Sequence, residues 1–282
     1  MTYLAISILC SVAVALLFKY AEVKKLPRFT MLAVNYTVGM LVSLLAVNNL
    51  NFSQEKNSAI LLGVVVGVLF VLGYLLLLIT IRKLGVALPV ALMRLSAVLP
   101  TMGSIVIFLE IPNTLQIFGI VVAFLALPLI RTSSRSGINN INRISIEYVW
   151  AIILFISFGA TEFLLKVQTE IFPAMSIAKF LVIVYAVALL ISTGMAIYQR
   201  LKVDKTIFLV GIFLGIFNFF STLFFLKALQ LLPGILVYPT NGIGIILLTT
   251  ASGVIFWQEK LFAKSYLFLV LSMIALIFIN LK

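Results

Sequence analysis

Arg94 is the residue of this chain whose type and position point most directly to chemistry. It lies about eight residues into an apolar helix predicted within Gly85–Glu110, roughly 12 Å along its axis. An arginine at that depth in a membrane is costly unless it is paired or functional. Its planar guanidinium suits carboxylates and phosphates, to which it donates two parallel hydrogen bonds. We expect Arg94 to bind the anionic end of a substrate. The alternative is a structural arginine that caps carbonyls or pairs with an acid.

Glu162 is the acid that lies well inside another apolar stretch, and Lys166 follows it by one helical turn. One interpretation is a protonatable carboxylate that couples proton movement to substrate. The other, which the spacing favours, is a structural Glu162–Lys166 ion pair. Lys19 occupies the corresponding place in the first half of the chain, and both lysines could also extend to the membrane surface. Glu162, Lys166 and Lys19 are the predicted coupling residues.

Further polar side chains recur at helical spacing in other apolar stretches. Steps of three and four place Thr101 on the predicted face of Arg94, and likewise place Asn241 beside Tyr238. Such residues line a wet cavity or form hydrogen bonds between helices, and both interpretations stay open. The predicted substrate-binding residues are Arg94, Thr101, Tyr238, Asn241, Asn218 and Asn35. Glu110 and Glu259, at the ends of two apolar stretches, are predicted to be solvated.

The composition excludes several classes of function. The chain has 282 residues, 63% hydrophobic and 10% charged, which predicts a membrane protein. It lacks histidine, and Cys10 is its one cysteine, so Ser/His and Cys/His catalysis, an internal disulfide and a cysteine metal site are excluded. No cofactor is predicted, and no phosphate-binding Gly-x4-Gly-Lys-Ser/Thr loop is present. The net charge of +12 lies in the loops, which favours anionic lipid over nucleic acid as a partner.

These residues are carried by apolar stretches long enough to cross a bilayer, which needs about 20 residues. We predict an all-α integral membrane protein with ten transmembrane helices. They are Thr2–Phe18, Phe29–Val47, Ala59–Ile81, Val86–Phe108, Thr114–Ile130, Tyr148–Val167, Ala174–Tyr198, Thr206–Leu229, Ile235–Trp257 and Ser265–Leu281. Their connections are mostly short, so consecutive helices should be antiparallel neighbours.

The ten helices are predicted to form two five-helix repeats, residues 1–131 and 146–282, joined by a polar loop over residues 132–145. The order of landmarks carries this inference. Lys19, Pro27, Gly63-x3-Gly67, Gly85 and Glu110 correspond to Lys166, Pro173, Gly211-x3-Gly215, Gly234 and Glu259. Because each half has an odd number of spans, the two copies should be inverted. Secondary transporters are built in this way, with the substrate site near the midplane.

In these features the chain resembles the EamA-like branch of the drug/metabolite transporter superfamily. The Leu-Phe-Lys and Leu-Leu-Lys endings of helices 1 and 6, the prolines after them, and the Phe-Leu-Glu and Trp-Gln-Glu endings of helices 4 and 9 carry the resemblance. The family pattern ends a helix in Gly-Glu, where Leu109 and Gln258 stand here, and often has an arginine where Asn35 stands. The resemblance implies a central substrate cavity, export of small metabolites, alternating access and cytoplasmic termini.

The basic residues predict the opposite orientation. The odd-numbered connections hold thirteen Lys and Arg, whereas the even ones and the termini hold two, which places the odd loops in the cytoplasm. We expect a secondary transporter of an inner (plasma) membrane that exports small metabolites such as amino acids, with protons as one candidate coupling ion. The alternatives are an organic phosphate or nucleotide-sugar antiporter and a non-transporting scaffold. A membrane enzyme is disfavoured, and association into a homodimer is left open.

Overall fold

The protein is all-helical wherever the structure describes it. A computed structural model describes the chain except residues 50, 85–86, 127–143, 201–203, 259–262 and 282. Over this part of the chain there are eleven helices. They are α1 (Thr2–Val23), α2 (Arg28–Leu45), α3 (Asn57–Leu84), α4 (Ala87–Leu95), α5 (Val98–Val106), α6 (Thr114–Ala126), α7 (Ile144–Ile171), α8 (Ile177–Tyr198), α9 (Lys205–Leu231), α10 (Gly234–Trp257) and α11 (Ala263–Asn280).

Seven helical segments in the described residues are long and apolar enough to cross a bilayer. They are Thr2–Val23, Arg28–Leu45, Asn57–Lys83, Val149–Ile171, Ile177–Tyr198, Lys205–Leu231 and Gly234–Phe256. The other three predicted spans contain shorter apolar helical segments, Leu92–Val106, Thr114–Leu125 and Leu269–Asn280, of which the first includes the break between α4 and α5. In lipid a helix satisfies its backbone polar groups internally, which is why apolar length alone located these segments. The all-α membrane fold is therefore confirmed, whereas the ten-span inverted repeat stays a prediction.

The fourth predicted span is not one continuous helix, and that prediction was wrong. Helix α4 ends at Leu95 and α5 begins at Val98. Pro100 has no N–H to donate to the carbonyl of Ser96, as a helical residue at its position would. That carbonyl instead accepts a hydrogen bond from the N–H of Leu99, at 2.9 Å. The helical face predicted to run from Arg94 to Thr101 is therefore interrupted.

The described helices form two compact units, each built from both halves of the sequence. Unit 1 contains Met1–Val71 and Leu164–Leu231, and unit 2 contains Leu72–Phe163 and Leu232–Lys282. Helices α3 and α7 each contribute one part to unit 1 and the other part to unit 2.

Unit 1 is held together by helices that approach each other at glycine. A Cβ atom at Gly67 of α3 would lie 2.7 Å from the carbonyl oxygen of Val184 in α8. A Cβ atom at Gly215 of α9 would lie 2.6 Å from the carbonyl oxygen of Asn35 in α2. Only glycine permits backbones to come this close. The two Gly-x3-Gly pairs noted in the sequence are thus packing contacts of α3 with α8 and of α9 with α2.

Unit 2 has its own apolar core and its own close contacts. Helix α6 packs against α11, and α5 packs against α10. The buried core residues shared by α6, α10 and α11 are Ala123, Ile243, Ala275 and Ile279. Helix α7 joins this unit through Gly159 and Phe163, which lie against the α4–α5 region. This packing places the candidate site described below.

Candidate functional site

Arg94 lies in the last turn of α4 and lines a narrow recess in unit 2. The recess has room for roughly one water molecule. The other residues that line it are Ala97, Ala123, Phe124, Tyr238, Pro239, Gly242 and Ile243. Arg94 as a whole residue is half-buried, and its guanidinium forms no hydrogen bond or ion pair with the residues that the structure describes.

Glu162 approaches Arg94 because α7 crosses the break between α4 and α5. A Cβ atom at Gly159, one turn before Glu162, would lie 2.9 Å from the carbonyl oxygen of Ser96 at the break. The ring of Phe163, next to Glu162 in the chain, lies against Gly103 of α5. Glycine at position 159 therefore allows α7 to bring a carboxylate to the interrupted helix that carries Arg94.

Tyr238 links the third helix of the site, α10, to Glu162. Its side chain is fully buried, and its hydroxyl donates a hydrogen bond of 3.1 Å to the backbone carbonyl of Glu162. Tyr238 also lines the recess beside Arg94. Three predicted site residues, Arg94, Glu162 and Tyr238, are thus brought together in unit 2 by α4, α7 and α10.

The charges of Arg94 and Glu162 attract each other without closing an ion pair. Both side chains are half-buried, and Glu162, like Arg94, has no side-chain hydrogen bond within the described part of the chain. Both residues lie in apolar stretches, Leu92–Val106 and Val149–Ile171, and charged side chains in such stretches usually face the interior of the helix bundle or a water-filled cavity. The arrangement is a separated pair of opposite charges, each with hydrogen-bonding capacity left for a ligand.

The favoured Glu162–Lys166 pair is not what the structure shows, and that interpretation was wrong. The fully buried ammonium of Lys166 pairs with Glu170 at 2.8 Å, one turn towards the end of α7. Spacings of i, i−4 and i, i+4 bring either acid within reach of Lys166, so sequence distance could not choose between them. Tertiary packing directs Glu162 towards Arg94 instead.

The predicted residues in unit 1 bond to each other. The side-chain amide of Asn218 in α9 donates to the side-chain oxygen of Asn35 in α2, at 3.3 Å. The hydroxyl of Thr222 donates to the carbonyl of Asn218, at 3.0 Å. These contacts agree with the alternative interpretation of hydrogen bonding between helices. Lys19 is half-buried in α1 of the same unit.

Two further predicted residues lie in unit 2, and they differ in whether their side chains form hydrogen bonds. Thr101 is buried, and its hydroxyl donates to the carbonyl of Ala97 at 2.7 Å, within its own chain segment. The side-chain oxygen of Asn241 is buried, and it has no hydrogen-bond partner among the described residues. A buried acceptor without a donor is uncommon in proteins. The side-chain oxygen of Asn241 can therefore still accept a hydrogen bond, whereas Thr101 already donates its hydroxyl hydrogen to Ala97.

Glu110 has a structural role that differs from the predicted one. It was expected to be solvated, but its two carboxylate oxygens accept hydrogen bonds from the N–H groups of Gly234 and Ile235, at 2.8 and 2.9 Å. These are unsatisfied donors at the start of α10, and a carboxylate there also interacts favourably with the helix dipole. The matching positions of Gly and Glu in the two halves were the available signal. The prediction for Glu259 falls outside the described residues.

No three carboxylate or cysteine side chains cluster as metal ligands within the described ranges. Neutral contacts dominate the surroundings of Arg94, since its recess is lined by alanine, phenylalanine, isoleucine and glycine beside Tyr238. An apolar lining of this kind strengthens the attraction between an arginine and a bound anion.

Comparison with known proteins gives a family match over the N-terminal part of the chain. Residues 1–132 match the EamA-like transporter family. For these residues the match confirms the resemblance predicted from the sequence, and EamA-like proteins form a transporter family. Together with the apolar helices, the match indicates an integral, multi-pass membrane protein.

Two further proteins resemble the chain over nearly its whole length. An uncharacterized protein of Haemophilus influenzae is 28% identical over 284 residues, which cover 97% of this chain and 95% of that protein. A solved crystal structure matches 99% of this chain and 95% of its own, with a TM-score of 0.79 and 14% sequence identity. At that identity the structural match concerns the fold alone.

Proposed function

We propose that the protein is a secondary transporter that exports small metabolites through an inner membrane, with Arg94 binding the anionic end of the substrate. The observation that carries the proposal is that no described residue engages the guanidinium of Arg94 by a hydrogen bond or an ion pair, although Arg94 lies in an apolar helix. A membrane protein that retains such a charge must recover its cost, and binding an anionic ligand does so.

An inverted repeat fits the contacts within unit 1. If the second five spans repeat the first five, α8 corresponds to α2 and α9 corresponds to α3. The glycine contact of α3 with α8 then has α9 with α2 as its counterpart, and both contacts are present. This correspondence supports two inverted repeats, residues 1–131 and 146–282, and with them transport by alternating access.

Glu162 is suited to balance charge during transport. In the empty site the charges of Arg94 and Glu162 offset each other. A substrate carboxylate on Arg94 would leave Glu162 without its counter-charge in an apolar setting, which favours uptake of a cation there. A proton is the smallest such cation, and this supports proton coupling at Glu162.

The alternative of an organic phosphate antiporter is less well supported, because the lysines that could bind the phosphate are engaged elsewhere. Lys166 is engaged by Glu170, and the ammonium of Lys227 lies 5.5 Å from the ring centroid of Tyr3 and 5.7 Å from that of Phe224. Both lysines belong to unit 1. A doubly charged phosphate would call for more than one cation beside Arg94.

The experiment is counterflow in proteoliposomes with the twenty protein amino acids, simple carboxylates and sugar phosphates, on wild type and Arg94→Met. We expect Arg94→Met to lose uptake of the carboxylate substrates. Arg94→Lys keeps the charge but not the two-pronged geometry, so it should bind them more weakly than wild type. Arg28→Met is the matched control, because Arg28 pairs with Glu22 at 3.0 Å outside the site.

The control variant should transport at the wild-type rate. Removing the charge of Arg94 should not lower the melting temperature, because methionine fills a similar volume without a desolvation penalty. Uptake by Arg94→Met at wild-type affinity, with any carboxylate substrate, would overturn the role of Arg94.

A further inference from the structure

We propose that Arg94 and Glu162 are the two ends of one site for a zwitterion, with the substrate carboxylate on Arg94 and its ammonium on Glu162. This assignment rests on the proposed function, and it goes beyond it by making Glu162 a residue that contacts substrate. The class of substrate is a small molecule that carries both charges, of which the α-amino acids are the simplest.

The geometry of three helices supports a shared site. Gly159 lets α7 approach the break that follows Arg94, and Tyr238 of α10 donates to the carbonyl of Glu162 while it lines the recess of Arg94. The two charged groups therefore belong to one local structure within unit 2. They are near enough to attract each other, yet they leave the direct ion pair unformed.

A separated ion pair is complementary to a molecule whose own charges are separated in the reverse order. Each end gains a charge-assisted hydrogen bond, and the net charge of the site does not change when a zwitterion enters. A plain carboxylate satisfies Arg94 but leaves Glu162 without a cation unless a proton binds there, whereas the ammonium of a zwitterion supplies that cation itself. A plain amine pairs with Glu162 but leaves Arg94 without an anion. The site should therefore reject both relative to the zwitterion.

The neighbouring ionisable groups do not supply a direct partner for the carboxylate of Glu162. From the packed helices, Arg94 and Tyr238 face the region of Glu162, and the Tyr238 hydroxyl is committed to a backbone carbonyl. On α7 itself, Lys166 is held by Glu170. Within the described residues, Arg94 is the cation whose charge acts on Glu162. A substrate ammonium is thus the direct partner that the carboxylate lacks.

The test measures competition in counterflow. The best-transported amino acid is compared with its N-acetyl derivative, its amide and its des-amino acid, which remove the ammonium, the carboxylate charge and the amino group. Wild type should prefer the amino acid roughly tenfold or more over each analogue, as expected for one charge-assisted hydrogen bond. Glu162→Gln should reduce the preference over the N-acetyl and des-amino compounds to near one, with binding of those two retained. Glu162→Asp should keep part of the preference.

The outcomes separate this inference from the proposed function. If wild type takes the des-amino acid as well as the amino acid, the ammonium subsite is wrong while Arg94-dependent transport stands. If Glu162→Gln leaves the preference unchanged, the ammonium binds elsewhere and its assignment to Glu162 is wrong. If no carboxylate competes in an Arg94-dependent way, the proposed function fails. The wild-type comparison decides the question even if the glutamine variant does not fold, and thermal unfolding of each purified variant identifies that case.

Discussion

Leu109 replaces the glycine of the EamA-like pattern at a position where the backbone has a positive φ angle. Leu109 and Gln258 stand where the EamA-like pattern has glycine, and their φ angles are 54° and 51°. This left-handed conformation costs a side-chain-bearing residue about 1–2 kcal/mol, whereas glycine adopts it freely. Beyond Leu109 the N–H of Glu110 bonds back to the carbonyl of Ser104, at 3.1 Å. Glycine suits this position of the motif because it adopts a positive φ without strain, whereas this chain has leucine there.

Leu109→Gly is therefore expected to stabilise the protein. The gain should be about 0.5–1 kcal/mol after the entropy cost of glycine in the unfolded chain. The Leu109 side chain is 77% exposed, so its removal loses little packing. Leu190→Gly is the matched control, because Leu190 is 74% exposed but lies inside the right-handed helix α8. Melting temperatures in detergent should rise for the first variant and fall for the second, and a fall for both would disprove the strain.

At the scale of helices, close approach at glycine determines which elements can meet. The contacts of Gly67 with α8 and of Gly215 with α2 are made to backbone oxygens, which cannot rotate aside as a side chain can. Gly159 does the same for α7 at the α4–α5 break, and so positions Glu162. The glycines act on the candidate site indirectly, by setting how near its helices come.

Gly67→Ala should destabilise unit 1 by about 1–3 kcal/mol, because the new methyl group would overlap the Val184 carbonyl unless α3 and α8 separate. Gly194→Ala in α8 is the control. No atom lies within 4 Å of its added Cβ, so that variant should be neutral or more stable. Thermal unfolding monitored by light scattering or size exclusion would measure both. Equal melting temperatures for the two variants would argue against close packing at Gly67.

At the scale of the whole molecule, the two compact units cut across the two sequence halves. Helices α3 and α7 each contribute to both units, so neither half of the chain contains a complete unit. Inverted repeats that exchange helices in this way would have to fold together. The orientation in the membrane is a separate property, and it follows from the basic loops rather than from the packing.

The charge distribution predicts that Gln199 lies on the cytoplasmic side and Ser53 on the outer side. Both residues are exposed, Gln199 after α8 and Ser53 between α2 and α3. With Cys10 replaced, Ser53→Cys should react with an impermeant thiol reagent in intact cells, whereas Gln199→Cys should react only after the membrane is opened. The reverse pattern would establish cytoplasmic termini, as the family resemblance implies.

The apolar stretches of this sequence were sufficient to locate the helices and to single out Arg94, because a lipid environment demands internal hydrogen bonding and penalises a buried charge. The Gly-x3-Gly pairs and Glu110 likewise marked contacts that the fold uses. The partners of the charged groups were decided by tertiary structure. Lys166 could reach two acids at equal spacing, Glu110 met a helix start 124 residues away, and Pro100 broke a span that hydropathy shows as continuous. Electrostatic partners are chosen by distance in space, which only the packing of α4, α7 and α10 supplies.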